Sequence, residues 1–242
     1  MTKEKMTAVV LAAGKGSRMG SKIQKQYRML LGRPVITYAL DAFEKSKADD
    51  IILVVGEGEA DYVRKEIVDA FGYKKVRKIV VGGAERYESV WRGLCAIEEK
   101  EQEEAYVLIH DGARAFLTAE QANDCMEQVR QEKACVMGMP VKDTIKIVDQ
   151  DGYSVSTPDR SSMWQVQTPQ CFLLAEIREA YQKLMESENH SVTDDAMVME
   201  AYGIRPVKMI RGSYENIKIT TPEDLILGEA ILRANEEEAV DN

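Results

Sequence analysis

A turn rich in glycine and bases carries the chain's clearest chemical signal. Leu11-Ala12-Ala13-Gly14-Lys15-Gly16-Ser17-Arg18-Met19-Gly20 follows an apolar run, with Lys22 and Lys25 close behind. Small residues after a first strand let backbone N–H groups close on a phosphate, and a following helix start adds its dipole. Lys15, Arg18, Lys22 and Lys25 fall within eleven residues, which makes a turn that merely saves space the weaker reading. Two familiar phosphate motifs do not account for it. The dinucleotide fingerprint G-x-G-x-x-G needs a glycine one residue before Gly20, and its acidic ribose ligand would fall at Asp41, inside a helical pattern. The P-loop spacing is met by neither Gly14 nor Gly16. The expected chemistry is a phosphate cradle of another kind. Asp111 and Arg114 follow a long apolar strand, where open α/β sheets place their ligands. Lys218, between Ile217 and Ile219, reads either as a guard on a sheet edge or as a charge facing a ligand.

The scaffold for these residues is legible in the periodicity. Apolar runs at 8–13, 51–55, 79–81, 106–109 and 134–139 read as buried strands. Between them lie helical patterns: one opened by Pro34 with Ile36, Ala39, Leu40 and Phe43 on one face, one over 59–71 closed by Gly72, and one capped by Thr118 with Gln121. Strands buried on both faces and separated by helices predict a Rossmann-like, three-layer α/β domain over 1–242, with a mostly parallel mixed sheet. Alternation at 146–148 and 153–157 around the turn at 149–152 predicts a hairpin inserted into that plan, a β-arm over about 141–165. Helices at 173–188 and 194–202 follow, then strands at 205–210 and 216–220, and a last helix opening at Thr221-Pro222. The acidic stretches 98–104 and 236–238 read as solvated helix ends.

Composition excludes several classes. Of 242 residues, 45% are hydrophobic and 30% charged, the balance of a folded globular chain. A net charge of −9 lacks the broad positive field that nucleic-acid binding needs. The longest apolar run, 8–13, is far short of a membrane span, and MTKEKM leads straight into it without a signal peptide's apolar core, so a cytoplasmic protein is expected. Cys95, Cys125, Cys135 and Cys171 have no metal-ligand spacing and read as buried thiols, and His110 and His190 are isolated. His110 reads as packed rather than reactive. Chemistry must therefore rest on Lys, Arg, Asp, Thr and backbone.

The motifs L-A-A-G-x-G-x-R-M-G with K-Q-Y, G-G-A-E-R-Y-E-S-V (82–90), H-D-G-A-R (110–114), V-K-D-T-I-K (141–146), Asp159-Arg160, W-Q-V-Q-T-P-Q-C-F (164–172), T-D-D-A (193–196) and N-I-K-I-T-T-P-E-D-L (216–225) occur in this order. Together they resemble the 2-C-methyl-D-erythritol 4-phosphate cytidylyltransferase family, within the nucleotidylyltransferases of glycosyltransferase-like α/β fold. The resemblance implies transfer of the cytidylyl group of CTP to a sugar-alcohol phosphate with release of pyrophosphate, in non-mevalonate isoprenoid precursor biosynthesis. It also implies Mg²⁺ or another divalent cation, and a homodimer built through the β-arm. Within the wider group a ribitol-5-phosphate cytidylyltransferase is the nearest alternative, and a non-catalytic CTP-sensing module is one of a different class.

By resemblance, Arg18 and Lys25 bracket the α-phosphate, Lys218 positions the acceptor phosphate, and Arg160 reaches that phosphate from a partner's arm. Ala12, Ala13, Gly14, Gly16, Gly82, Arg86, Ser89 and Asp111 are expected around CTP, although Gly82, Arg86 and Ser89 serve equally as a loop and helix cap. Arg114, Thr144, Thr168 and Lys218 are expected around the acceptor, with the two threonines equally at home as strand residues. Asp111 is the candidate to approach Mg²⁺, a metal held mainly by phosphates and water. Thr193, Asp194 and Asp195 read as a helix cap. The chain departs from the family pattern twice: Gln24 stands where the family has proline before K-Q-Y, and Ala115 where it has proline after H-D-x-A-R. Loss of proline leaves a loop freer in the unbound state.

Overall fold

The structure is a computed structural model that describes residues 3–14, 24–98, 103–188 and 190–241. The apolar runs become the strands β1 (Lys3–Ala12), β4 (Asp50–Val55), β5 (Val76–Val81), β6 (Glu103–Asp111) and β7 (Ala134–Pro140). A short hairpin, β2 (Met29–Leu30) and β3 (Arg33–Pro34), precedes the first helix. With β10 (Trp164–Leu173) and β11 (Lys208–Arg211), the long strands form one seven-stranded sheet in the order β11-β7-β10-β6-β1-β4-β5. Every pairing in it is parallel except those of β10, which runs antiparallel to both β6 and β7. The mostly parallel mixed sheet expected from periodicity is the one observed.

Alternation along each strand sends side chains to two cores. Val10, Leu53 and Leu108 pack under α1 (Val35–Lys45) and α4 (Ala119–Glu132), while Val9, Val54 and Val107 pack under α3 (Arg86–Cys95), α5 (Leu174–Glu186) and α6 (Asp195–Tyr202). Each such side chain, fully buried, contributes on the order of 1.5–3 kcal/mol of transfer free energy. The pattern over 59–71 forms a short helix α2 (Ala60–Tyr62) that widens into π-helical turns (Val63–Asp69), and Gly72 ends it with φ +72°. The last helix, α7 (Pro222–Asp241), starts at its proline as expected.

Three expectations are corrected. Residues 216–220 form no strand: the segment is held by Ile219 N–H on the Ala113 carbonyl (2.9 Å) and by Asn216, whose side chain donates to the Thr168 carbonyl (2.9 Å), so it is tied to loops rather than to a sheet edge. The strand expected at 205–210 is Lys208–Arg211, the stretch that lies alongside β7; Arg205 instead forks onto Glu176. Glu104 belongs to β6 rather than to a helix end and pairs with Lys133 at 2.7 Å, while 99–102 lie outside the described residues.

The arm is present. Strands β8 (Ile147–Val148) and β9 (Ser154–Ser156) form a separate two-stranded hairpin. Ile147, Val148, Tyr153 and Val155 on it are 52–74% exposed, an unusual apolar load for a free surface. At its root the Lys142 ammonium sits 3.5 Å from the centre of the Tyr214 ring, and the Tyr214 hydroxyl donates to the Pro140 carbonyl at 2.8 Å.

The capping box read at Thr118 is formed in both directions: Gln121 N–H donates to the Thr118 hydroxyl, and Thr118 N–H donates to the Gln121 side chain. Thr118→Ala should lower the unfolding free energy by about 1 kcal/mol in urea titration while leaving turnover unchanged. An unchanged midpoint would show that the cap contributes nothing to the fold.

Candidate active site

Parallel strands deliver their C-terminal ends to one edge of the sheet, and β10, running the other way, enters the sheet at that same edge. A cavity of about 210 Å³ opens there. Leu11, Ala12, Ala13 and Gly14 form its floor, Lys25 and Gln26 one wall, the loop Gly83–Arg86 with Ser89 another, and Asp111 and Lys218 its back. Gly82 lies behind this lining: a Cβ there would meet Ala13 Cβ at 2.4 Å and Ser89 Oγ at 2.7 Å, so only glycine lets the loop close on the β1 turn. The Ser89 hydroxyl accepts from Gly83 N–H (3.1 Å) and donates to the Glu85 carbonyl (3.1 Å), holding the loop in shape. The buried Gln26 side chain donates to the carbonyls of Ala12 and Gly14 and keeps the wall against the floor.

Asp111 is the electrostatic centre. Lys218 Nζ lies 2.7 Å from its Oδ2 and Arg86 Nε 3.5 Å from its Oδ1. Burial alone would raise the carboxyl, but Arg86, Lys218 and Arg114 outweigh it and hold Asp111 far below the usual carboxylate range. Arg86 in turn forks onto Asp195 at 2.9 and 2.7 Å. Burial works against its charge, yet Asp195 and Asp111 keep the guanidinium protonated. Asp195 is fully buried and also accepts from the Tyr181 hydroxyl at 2.5 Å, while its N–H donates to Gln170.

A second cavity of about 270 Å³ shares Arg86, Asp111 and Lys218 with the first and adds Arg114, Val166, Gln167, Thr168, Gln170, Thr193 and Asp194. Arg114 donates to the carbonyls of Asn216 (2.7 Å) and Val166 (3.3 Å), bracing the segment that carries Lys218. The Thr168 hydroxyl accepts from Asp111 N–H (3.1 Å) and meets His110 Nδ1 (3.0 Å), whose Nε2 faces the Arg114 carbonyl (3.1 Å). The chain of contacts assigns the proton to Nε2, with Thr168 donating to Nδ1. His110 is thus packed and satisfied, as read from sequence.

Ala12, Ala13, Gly14, Lys25, Arg86, Ser89, Asp111 and Lys218 therefore meet around one cavity, and Arg114 and Thr168 join three of them around the next. Gly16 and Arg18 lie outside the described residues. Thr144 is exposed on the arm, and Arg160, also exposed, donates to the Lys142 carbonyl at 3.0 Å; neither lines the two cavities described above. Asp194 does cap α6, accepting from Met197 N–H, but Asp195 is the residue sequence reading missed. Its signal was the doubled acid of T-D-D-A: one carboxylate suffices for a cap, and the second needs another partner.

Comparison with known proteins decides the family. The IspD profile, 2-C-methyl-D-erythritol 4-phosphate cytidylyltransferase, matches residues 6–234. The chain belongs to this family. It is 47% identical over 234 residues to the 2-C-methyl-D-erythritol 4-phosphate cytidylyltransferase of Lachnoclostridium phytofermentans, covering 97% of this chain and 99% of that protein. It is 50% identical over 229 residues to that of Lachnospira eligens, covering 94% and 99%. Its fold matches the crystal structure of the 4-diphosphocytidyl-2C-methyl-D-erythritol synthase of Anaerococcus prevotii with a TM-score of 0.83 and 35% identity, covering 95% of this chain and 96% of that one.

The two positions where the resemblance leads to proline have distinct surroundings. Ala115 is buried in a small core with Leu30, Val35, Phe116 and Ile219, while Gln24 lies beside Glu59. The divalent cation that the family implies meets a sparse donor set. Among the described residues no three acidic, histidine or cysteine groups converge, and both Asp111 oxygens already face cations. That set fits a metal carried mainly by substrate phosphates, with Asp111 the carboxylate, among the described residues, that lines both cavities.

Burial lowers the His110 pKa from the ordinary 6.5 to about 4. A histidine held neutral when folded stabilises fully above its unfolded pKa, and that contribution drains away as pH falls towards the folded value. Between pH 6.5 and 4 the wild type should lose up to ~3 kcal/mol through this group. Denaturant titrations at pH 7 and 4.5 should show a shallower loss for His110→Gln. Parallel losses in the two proteins would remove His110 as the cause.

Proposed function

We infer that this chain transfers the cytidylyl group of CTP to 2-C-methyl-D-erythritol 4-phosphate, giving 4-diphosphocytidyl-2-C-methyl-D-erythritol and pyrophosphate. The observation that carries the reading is the convergence of Lys25, Arg86, Lys218 and the β1 turn on one cavity that opens into a second beside Arg114 and Thr168. The lining of the two cavities carries Lys25, Arg86, Arg114 and Lys218 against Glu85, Asp111 and Asp194, so a small positive surplus faces two anionic substrates. In this reading the triphosphate lies on the backbone of 12–14, and the base is read by the loop Gly83–Arg86 that Ser89 and Gly82 shape. The acceptor's phosphate enters the second cavity beside Lys218.

An oxygen of the acceptor phosphate attacks the α-phosphorus of CTP in line with the departing pyrophosphate. That oxygen is already ionised at pH 7, so no general base is required, which suits a site whose histidine is buried and neutral. Catalysis then rests on position and charge. Lys25 supplies a point charge where α-phosphate negativity peaks, and Arg18 carries the same expectation from outside the described residues. Lys218 is held by Asp111 at the junction of the cavities, the place from which one ammonium touches both reactants. A divalent cation bound with the triphosphate would neutralise its charge, with Asp111 as its protein contact.

The arm supports a second element of the reading, a homodimer. A two-stranded hairpin is marginal alone, and its exposed Ile147, Val148, Tyr153 and Val155 are best covered by a second copy of this chain about a two-fold axis. In this reading Arg160, which lines neither of the two cavities in its own chain, reaches the partner's acceptor phosphate. A cytoplasmic setting agrees with four cysteines that form no disulfide; three are buried, while Cys95 is exposed, unlike the burial expected for it. No helix among the described residues is long and apolar enough to cross a membrane. Nothing in the relatives' names favours ribitol 5-phosphate as acceptor or a sensor role. Pyrophosphate release with CTP and each acceptor separates these readings: release only with ribitol phosphate, or none despite CTP binding, would overturn the one adopted.

Lys25→Ala should lower kcat by at least ~10²-fold with a smaller change in the KM for CTP. A near-normal kcat with only a raised KM would reduce Lys25 to gathering substrate. For the arm, Lys25→Ala and Arg160→Ala chains refolded together should regain about a quarter of wild-type activity, since each mixed dimer has one site with both groups intact. An inactive mixture would place Arg160 at its own chain's site.

A further inference from the structure

The resemblance leads to proline immediately before Lys25, where this chain has Gln24. Its backbone sits at φ −65° and ψ 147°, the φ that a proline ring would impose. The conformation is kept by side chains instead. The Gln24 carboxamide nitrogen donates to Glu59 Oε1, and its oxygen accepts from the Gln26 carboxamide. The other oxygen of Glu59 accepts from the Tyr27 hydroxyl (2.9 Å) and from Gly56 N–H (2.9 Å). One carboxylate at the start of α2 thus ties down residues on both sides of Lys25. Gly56 makes room for it: a Cβ there would lie 2.8 Å from the Glu59 carboxyl carbon. Burial, and then Glu59, push the Tyr27 hydroxyl well above its ordinary range, so it remains a donor. With 24, 26 and 27 anchored, the 3₁₀ turn Lys25–Tyr27 presents Lys25 over Gly14 at the cavity wall.

We propose that Glu59 and Gln24 form a clamp that positions Lys25, a hydrogen-bonded substitute for the rigidity of proline. Neither residue lines the cavity, so both act through Lys25. The proposal rests on the role given to Lys25 above. It accounts for an ordered glutamine at a φ that a proline ring would hold: its bond to Glu59 supplies the order that a ring would give.

The test uses full-length protein, CTP and 2-C-methyl-D-erythritol 4-phosphate, with amide exchange at Tyr27 and Arg28, whose N–H groups bond to the Gln24 and Lys25 carbonyls. Gln24→Leu and Glu59→Ala should each lower kcat roughly tenfold, with KM values within about twofold, and should speed exchange at both amides. Their double variant should be little worse than either single one, as expected for two halves of one device. Gln24→Pro alone should keep near-normal kcat, and in the Glu59→Ala background it should recover several-fold of the lost kcat by restoring the turn through its ring. Unchanged exchange in Gln24→Leu overturns the clamp. Faster exchange with full kcat overturns its role in positioning Lys25. Failure of proline to help in the Glu59→Ala background overturns the proposed equivalence. Full kcat in Lys25→Ala would instead fell the reading of Lys25 itself, while the exchange rates still judge the clamp.

Discussion

A carboxylate taken out of water must be paired or neutralised, and Asp111 is paired from two directions. Lys218 approaches one oxygen and Arg86 the other, and Arg86 needs Asp195 to balance its own charge. These partners come from four distant stretches: the end of β6, the start of α3, the start of α6 and the segment before α7. Satisfying one buried acid therefore specifies how those stretches meet. The two cavities share Arg86, Asp111 and Lys218 as a common wall, so the same ion pairs that permit burial also fix where one cavity meets the other. Such a cluster adds little net stability, since desolvation offsets most of the attraction, but it admits few alternative arrangements.

The chain is acidic overall, with 41 acidic against 32 basic residues, yet its cavities are basic. Net charge describes the far field, and the local field is decided by which groups the strand ends bring together. Diffuse negative charge surrounds the molecule, while each cavity at the strand-end edge is lined by more cations than acids.

The strands and most helices were legible because strands buried on both faces appear as unbroken apolar runs, and helices show their one-sided spacing. The β1 turn was legible for a local reason as well: glycine and lysine crowd together in a few residues. What stayed hidden depends on contacts across long separations. Arg86 and Asp195 lie 109 positions apart, so nothing local marks Asp195 as more than part of a cap. Residues 216–220 alternate like a strand but find loops rather than a neighbouring strand, and only the fold tells these apart. Arg160 and Thr144 were drawn to the site by resemblance, and within one chain they stand on an exposed arm.

The position of β10 has a consequence for the order in which the molecule can be built. The run β5-β4-β1-β6 is complete once residue 111 has been made, with each strand already beside its neighbour. Strand β7 is made next but has no neighbour in the sheet until β10 and β11 exist, because its two partners both follow it in the chain. During synthesis, at roughly 5–20 residues per second, β7 must wait for several seconds with its apolar faces covered only by local helix. The N-terminal half holds Asp111 and Lys25, whereas Asp195 and Lys218 arrive with the last fifth of the chain. A nascent chain therefore holds Asp111 with Arg86 and Arg114 but without Lys218 or Asp195, and closure of the sheet and completion of the charge cluster become a single late event.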